Sequence, residues 1–220
     1  MKGLFITFEG PDGAGKTTQV RLLADALAAM GRTVVLTREP GGTRIGDSIR
    51  SLLLSPEHTE MDARTEVLLY AAQRAQNVAE RILPALGRGD VVIGDRFVDA
   101  SIAYQSAGLG VDEAIVRRVN EFATGGLKPD RTYLLDLPEE EGRRRLAART
   151  RERAGGPAGL DRIERRTAEY HRRVREAFRR IARENPGRVL LLDALQPPET
   201  LARIILEDCR RLLEAADRAE

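Results

Sequence analysis

Short apolar runs alternate with longer amphipathic stretches along this chain. Dense Val, Ile and Leu content at Leu4–Glu9, Thr33–Thr37, Val91–Asp95, Thr132–Asp136 and Arg188–Asp193 predicts five strands. The apolar positions in these runs are continuous, which suits strands covered on both faces. Between them, helical periodicity marks stretches near Lys16–Met30, Ile45–Leu54, Ala63–Leu86, Asp112–Ala123, Glu139–Thr150, Asp161–Glu184 and Pro198–Ala216. Such alternation predicts an α/β fold, a five-stranded parallel sheet with helices on both faces joined by right-handed crossovers. One segment breaks the rhythm. Arg149–Leu160 (RTRERAGGPAGL) mixes arginines, glycines and a proline and cannot be a regular helix throughout. It is too short to link two cores, so residues 1–220 read as one domain carrying a flexible Arg-rich insertion.

Composition narrows the partners. The 36 basic and 34 acidic residues nearly cancel, and a formal charge of +2 gives no general argument for nucleic acid or a membrane surface. Lys2, Lys16 and Lys128 are the only lysines; every other basic residue is arginine. Cys209 is the single cysteine, which rules out an internal disulfide and disfavours an extracellular scaffold. It sits on an apolar-periodic segment and reads as a small core residue. The N-terminus is already a strand pattern without a leader's basic and apolar regions, and no apolar run approaches the ~20 residues of a membrane span. These features predict a cytoplasmic protein.

The most informative local pattern is Gly10-Pro11-Asp12-Gly13-Ala14-Gly15-Lys16-Thr17, followed by Thr18, between the first strand and the first helix. It fits GxxxxGK[ST] in its required context. Glycines let backbone N–H groups turn inward around phosphate oxygens, and the helix N-terminus adds partial positive charge. Lys16 can reach the β- and γ-phosphates, and the Thr17 hydroxyl can ligate Mg²⁺. ATP or a relative is the expected ligand. A GTPase would need an NKxD motif, which the chain lacks, and a motor ATPase would usually need a longer chain. Small size and a lid-like insertion favour a kinase.

Three further groups of residues fall at the C-terminal edges of strands, where an acceptor would lie. They are Thr37-Arg38-Glu39-Pro40-Gly41-Gly42-Thr43; Asp95-Arg96-Phe97 with Ser101, Tyr104 and Gln105; and Tyr70 with Arg74, four apart and hence on one helix face. At these residues the chain resembles the bacterial thymidylate kinases over essentially its whole length. The resemblance rests on TREPGGT (37–43), Tyr70 and Arg74, DRF with AYQ (95–97 and 103–105), NEFATGGLKPD (120–130) and LDRIE (160–164).

The resemblance implies a P-loop kinase fold, an Arg-rich lid and transfer of the γ-phosphoryl of ATP to dTMP. It implies that Tyr70 stacks on thymine and Arg74 bonds a base carbonyl, with Pro40, Ser101 and Gln105 near the base. Tyr104 would crowd a ribose 2′-OH. Arg96 would grip the acceptor phosphate, with Arg38 on the same side, and Asp12 would face the sugar 3′-OH. The Glu39–Pro40 bond is a candidate for the cis form. Asp95 would stand with Thr17 near Mg²⁺, and Asp161 and Glu164 match acids that assist there in some relatives, though an N-cap with exposed helix charge explains that pair equally well. The segment Asp193-Ala194-Leu195-Gln196 resembles the loop beside adenine.

Two departures stand out. Gly13-Ala14 occupies the place where some relatives carry a P-loop arginine, so Arg149, Arg151 and Arg153 of the lid would supply the cationic charge at the γ-phosphate. Ala100 replaces a serine common in relatives. Relatives are homodimers, and apolar positions on the Ala63–Leu86 and Asp112–Ala123 helices could form such a face. Two rivals remain open at this point: a kinase for CMP, UMP or a deoxynucleoside, and a P-loop switch protein that needs no acceptor.

Overall fold

The apolar runs pair into one parallel sheet. The structure, a computed structural model, describes residues 3–152 and 160–218, with the backbone alone at 149–152. Strands β1 (Leu4–Glu9), β2 (Val34–Arg38), β3 (Val91–Asp95), β4 (Arg131–Asp136) and β5 (Val189–Asp193) lie in the order β2-β3-β1-β4-β5. The chain therefore crosses from one side of β1 to the other between β3 and β4. That crossing makes the C-terminal end of β1 the switch point where α/β sheets bind ligands.

Strand alternation sorts the interior into two layers. Leu4, Ile6 and Phe8 of β1, Val91 and Ile93 of β3, and Tyr133 and Leu135 of β4 share one layer. Helix α1 (Lys16–Ala29) covers it with Leu23 and Leu27, and α9 (Pro198–Arg218) with Ile205, Cys209 and Leu213. The residues between them point the other way. Phe5 and Val92 pack with Phe97, while Leu134 and Val189 meet α8 (Ala168–Glu184). Cys209 is a buried, free thiol.

The remaining helices are α2 (Arg44–Leu54), α3 (Ala63–Asn77), α4 (Leu83–Gly87), α5 (Val98–Ser101), α6 (Glu113–Thr124) and α7 (Glu139–Glu152). The helix expected over Ala63–Leu86 is α3 running through a π-helical turn at Val78–Ile82 into α4. Pro84 explains the break: it has no N–H to donate and its ring would strike a carbonyl one turn back. Widening the preceding turn puts the proline in the first turn of α4, where it is tolerated.

Three other expectations change. The helix expected over Asp161–Glu184 begins only at Ala168, where the Thr167 hydroxyl accepts from the Tyr170 N–H at 3.2 Å. Before it, Asp161 Oδ1 accepts from the N–H groups of Ile163 and Glu164, both at 2.8 Å, and closes a separate turn. Helix α7 runs two residues beyond Thr150, so the first four residues of the segment expected to be irregular, 149–152, are helical. A helical stretch not foreseen, α5 with a π-helical continuation at Ile102–Gly108, carries Ser101, Tyr104 and Gln105. Its cap comes from far away: Glu9 Oε1 accepts from Phe97 N at 2.7 Å and Ala100 N at 3.2 Å. No local pattern could announce it.

Phe8 is fully buried, with its ring 5.3 Å from that of Tyr133, one residue before the site-bearing end of β1. Phe8→Ala is expected to cost about 3–5 kcal/mol of stability. Urea unfolding at neutral pH reads this directly. A loss below about 1 kcal/mol would mean that the layer under the sheet repacks freely.

Candidate functional site

Register brings the ends of three strands together. Phe8 and Arg38 both stand opposite Asp95 in their ladders, so the segments after β1, β2 and β3 share one edge. The loop after β1 turns tightly against β4 and α7. Gly10 has φ 131°, and a Cβ there would lie 2.2 Å from the Leu135 carbonyl oxygen. At Gly13, φ 81°, a Cβ would lie 2.9 Å from the Gly142 carbonyl oxygen. Only glycine fits either place. The loop leads into α1 through Gly15, leaving backbone N–H groups at the helix start.

Lys16 folds back over this loop, donating to the carbonyl oxygens of Gly10 at 3.0 Å and Pro11 at 2.8 Å. Thr17 donates its hydroxyl to Asp95 Oδ2 at 2.8 Å. Arg96, at φ 73°, turns its guanidinium under the same loop. It donates to the Gly10 carbonyl at 2.9 Å, Asp12 Oδ1 at 2.6 Å and the Tyr104 hydroxyl at 3.0 Å, with its Cζ 4.8 Å from the Tyr104 ring centre. The Tyr104 hydroxyl in turn donates to Asp12 Oδ2 at 3.2 Å.

This clustering sets the charges. Burial alone would raise the Asp12 carboxyl, but Arg96 and Lys16 outweigh it and hold it down at about 2. Burial pushes the Lys16 ammonium down to about 8, Arg96 adds to the fall, and Asp12, Asp95 and Glu9 oppose it. Burial also pushes the Glu9 carboxyl up to about 8, against the pull of Arg96. Its Oε2 makes no hydrogen bond and lies 3.9 Å from Arg96 Nη1.

A cleft of about 1280 Å³ runs along the loop and past Thr17, Thr18, Arg38, Asp95, Arg145, Asp161 and Glu164. From it opens a smaller pocket of about 100 Å³ between Pro40, Tyr70, Tyr104 and Gln105, with Asp12 and Arg96 at the junction. The Glu39–Pro40 peptide is cis. Helix α3 grips this loop along one face. Gln73 Oε1 accepts from Gly41 N at 3.1 Å, and the Thr37 hydroxyl donates to Asn77 Oδ1 at 2.6 Å.

Arg74 and Ser101 stand behind the pocket wall rather than in it. Arg74 is 1% exposed and donates to Glu39 at 2.7 Å, Ser101 at 2.9 Å, the Phe97 carbonyl at 3.0 Å and Asn120, with a second contact to Glu39 at 2.6 Å. All of its N–H groups thus face protein acceptors. A direct bond to a base carbonyl would require one of them to be released.

Asp161 and Glu164 are engaged with each other. Asp161 caps its own turn, and Glu164 Oε2 accepts from Asp161 N at 3.1 Å. Arg149 and Arg151 lie on the last turn of α7, with side chains outside the description, and Arg153 lies outside the described residues. Sequence reasoning missed Glu9, Arg50, Glu66 and Arg145. Arg50 lines the pocket and donates to the Pro40 carbonyl at 2.8 Å. Arg145 ties α7 to the loop after β5 through the Ala194 carbonyl at 3.1 Å. Neither had a local signal. Glu66 did, being one turn before Tyr70 on the same face.

Among the described residues, no group of three His, Cys, Asp or Glu side chains is set to hold a metal. The paired oxygens of Thr17 and Asp95 are hard ligands that suit an ion taking its other ligands from phosphate and water. The same residues show no helix long and apolar enough to cross a membrane.

Comparison with known proteins gives the family. The family model described as thymidylate kinase matches residues 8–205. A thymidylate kinase of Exiguobacterium sibiricum is 51% identical over 218 residues, covering 99% of both chains. One from Roseiflexus castenholzii is 47% identical over 207 residues, covering 92% of this chain and 90% of the other. Among solved structures, the thymidylate kinase of Ehrlichia chaffeensis superposes with a TM-score of 0.73 at 32% identity, over 97% of this chain and 99% of that one. The sheet and its phosphate loop are thus those of the P-loop kinase fold.

Glu9 yields a pH prediction. Its carboxyl rises from an ordinary 4.5 to about 8 on folding, so its contribution is full below about 4.5 and lost as pH rises through about 8. Glu9→Gln keeps a carbonyl oxygen for Phe97 and Ala100 and carries no titrating proton. Urea midpoints taken at about pH 5 and about pH 8 should fall more steeply for wild type than for the variant. Parallel profiles would contradict the assignment.

Proposed function

The chain belongs to the thymidylate kinase family and is an enzyme that phosphorylates dTMP with ATP, and from that premise we propose the part each residue of the cleft plays. One observation carries the reading. Asp12 of the phosphate loop and Arg96 after β3 meet at 2.6 Å, so a donor along the loop and an acceptor in the side pocket face each other across one ion pair.

The donor's phosphates lie against the N–H groups from Gly10 to Thr18, with Pro11, Gly13, Ala14 and Gly15 shaping the turn. Lys16 leaves the Gly10 and Pro11 carbonyls for the β- and γ-phosphates. Thr17 and Asp95 would hold Mg²⁺, which would supply positive charge against that of the phosphates. Asp161 and Glu164 are close enough to the cleft to assist through water. Arg149, Arg151 and Arg153 bring further positive charge toward the γ-phosphate.

On the acceptor side, the dTMP phosphate takes Arg96 from Asp12, and Asp12 accepts the sugar 3′-OH instead. Arg38 and Arg50 face the same anion. Tyr70 lies flat against the thymine ring, bounded by Pro40 and Gln105, while Arg74 and Ser101 brace the wall from behind. The Tyr104 hydroxyl, fixed between Arg96 and Asp12, leaves little room for a ribose 2′-OH. An anionic oxygen of the dTMP phosphate attacks the γ-phosphorus, and the bond to the β-phosphate oxygen breaks. The products are dTDP and ADP, and no proton need be removed. What the cleft supplies is position and positive charge against the repulsion of two anions.

The enzyme works as a homodimer in the cytoplasm. Phe122 is 91% exposed, and Leu68 and Ile115 are 57% and 45% exposed, on α3 and α6. These two helices pack side by side, and a second copy is the occupant that would cover such an apolar face. Phe122→Glu is expected to turn a dimer into a monomer by sedimentation; a wild-type chain that sediments as a monomer would end this part of the reading.

Turnover follows from ADP formation in a coupled assay. ADP should appear only when dTMP accompanies Mg²⁺ and ATP, and faster with dTMP than with UMP. Lys16→Ala is expected to lower kcat by roughly 10²–10³-fold or more. Tyr70→Ala should raise the KM for dTMP about tenfold and leave that for ATP within about twofold. Equal losses on both sides would displace Tyr70 from the acceptor's base.

A further inference from the structure

Glu66 lies on α3 one turn before Tyr70 and is 0% exposed. Its carboxylate accepts hydrogen bonds from three side chains in two other parts of the chain. Oε1 accepts from Gln105 Nε2 at 3.0 Å, while Oε2 accepts from Arg162 Nη2 at 2.7 Å and Arg166 Nη2 at 2.5 Å. Arg162 also donates its Nε to the Leu53 carbonyl at 2.9 Å and its backbone N–H to that of Leu54 at 3.2 Å. Arg166 lies with its Cζ 4.6 Å from the Tyr170 ring centre. None of these contacts takes part in the transfer.

We infer that Glu66 is a positioning residue that selects which end of the Gln105 amide faces the acceptor's base, and so which pyrimidine the pocket accepts. The inference rests on the reading of that pocket as the dTMP site. A carboxylate only accepts hydrogen bonds, so the Gln105 nitrogen must be the end turned toward Glu66. The carbonyl oxygen is then the end left for the pocket, whose wall Gln105 helps to form. A carbonyl oxygen welcomes a ring N–H. Thymine and uracil carry one at N3, whereas cytosine presents a lone pair there and would be repelled. Arg162 and Arg166 hold the carboxylate in place from its other oxygen, so the amide is oriented before any ligand arrives. Glutamine at position 66 could donate as well as accept, and would let the Gln105 amide turn over.

The test compares kcat/KM for dTMP, dUMP and dCMP at saturating ATP in the full-length enzyme. Glu66→Gln is expected to reduce the preference for dTMP over dCMP by about tenfold or more. The ratio of dTMP to dUMP, which share the N3–H, should move by less than about twofold, as should the KM for ATP. Arg162→Ala should keep the wild-type preference over dCMP, because it leaves the Glu66–Gln105 bond in place. If Glu66→Gln fails to fold, the triple variant Glu66→Gln, Arg162→Gln, Arg166→Gln leaves no unpaired buried charge and carries the same expectation. An unchanged preference in whichever variant folds overturns the inference, as does an equal drop in Arg162→Ala or a parallel collapse with dUMP. Wild-type enzyme that fails to phosphorylate dTMP would instead sink the functional reading beneath it.

Discussion

The guanidinium of Arg96 is the joint on which the cleft is built. It touches the phosphate loop at Gly10 and Asp12, and the helix after β3 at Tyr104. Its backbone sits in the left-handed region, which a non-glycine residue adopts only where surrounding contacts hold it there. Its own N–H donates to the Phe8 carbonyl at 2.9 Å, and its guanidinium is held by Gly10, Asp12 and Tyr104. A charge this enclosed is costly unless paired, and Asp12 supplies the anion. An acceptor phosphate can then take over a partner's place without having to desolvate a free guanidinium.

A second buried pair does a different job. Glu39 and Arg74 meet at 2.6 Å with both side chains almost wholly enclosed. Around them Gln73, Asn77, Ser101 and Asn120 complete the bonds, so the loop after β2, helix α3, the stretch after Phe97 and α6 converge on one network. Removing one member of such a pair typically costs about 3–5 kcal/mol, because the other is left uncompensated. The arrangement makes the cis Pro40 loop a rigid wall, and the same face of α3 places Tyr70 and Glu66 one turn apart in front of it.

How much of this the sequence made legible follows from the range of each interaction. The phosphate loop was readable because its glycines, lysine and threonine act within one short segment between a strand and a helix. Tyr70 and Arg74 were readable as a shared helix face, but not that Glu39 would draw Arg74 inward, since that depends on a residue far along the chain. The same holds for the helix after Phe97, whose cap is a carboxylate on β1, and for the turn at Asp161–Glu164, where periodicity resembled helix but the Asp161 side chain closed the backbone first. Apolar runs placed all the strands to within a residue or two: burial on both faces marks nearly every position of β1, β3 and β4, and the edge strands β2 and β5 keep the apolar run although they are partly exposed.

Glu9 and Lys16 show why the electrostatics could not be read in that way. Both are ordinary residues in the sequence, and both shift because the fold encloses them, with Arg96 adding to the fall of Lys16 and opposing the rise of Glu9. Burial drives each toward its neutral form, raising the carboxyl and lowering the ammonium to about 8. The two shifts have opposite consequences for a site that must gather two polyphosphate anions. A protonated Glu9 removes a negative charge from beside Arg96, whereas Lys16, at about 8, holds its proton less firmly yet stays mostly charged at neutral pH. Anionic phosphate reverses only the second, since a negative group beside an ammonium raises its affinity for a proton. A donor's phosphates therefore secure the positive charge that Lys16 already carries, while Glu9 stays largely neutral and does not compete with the acceptor for the Arg96 guanidinium.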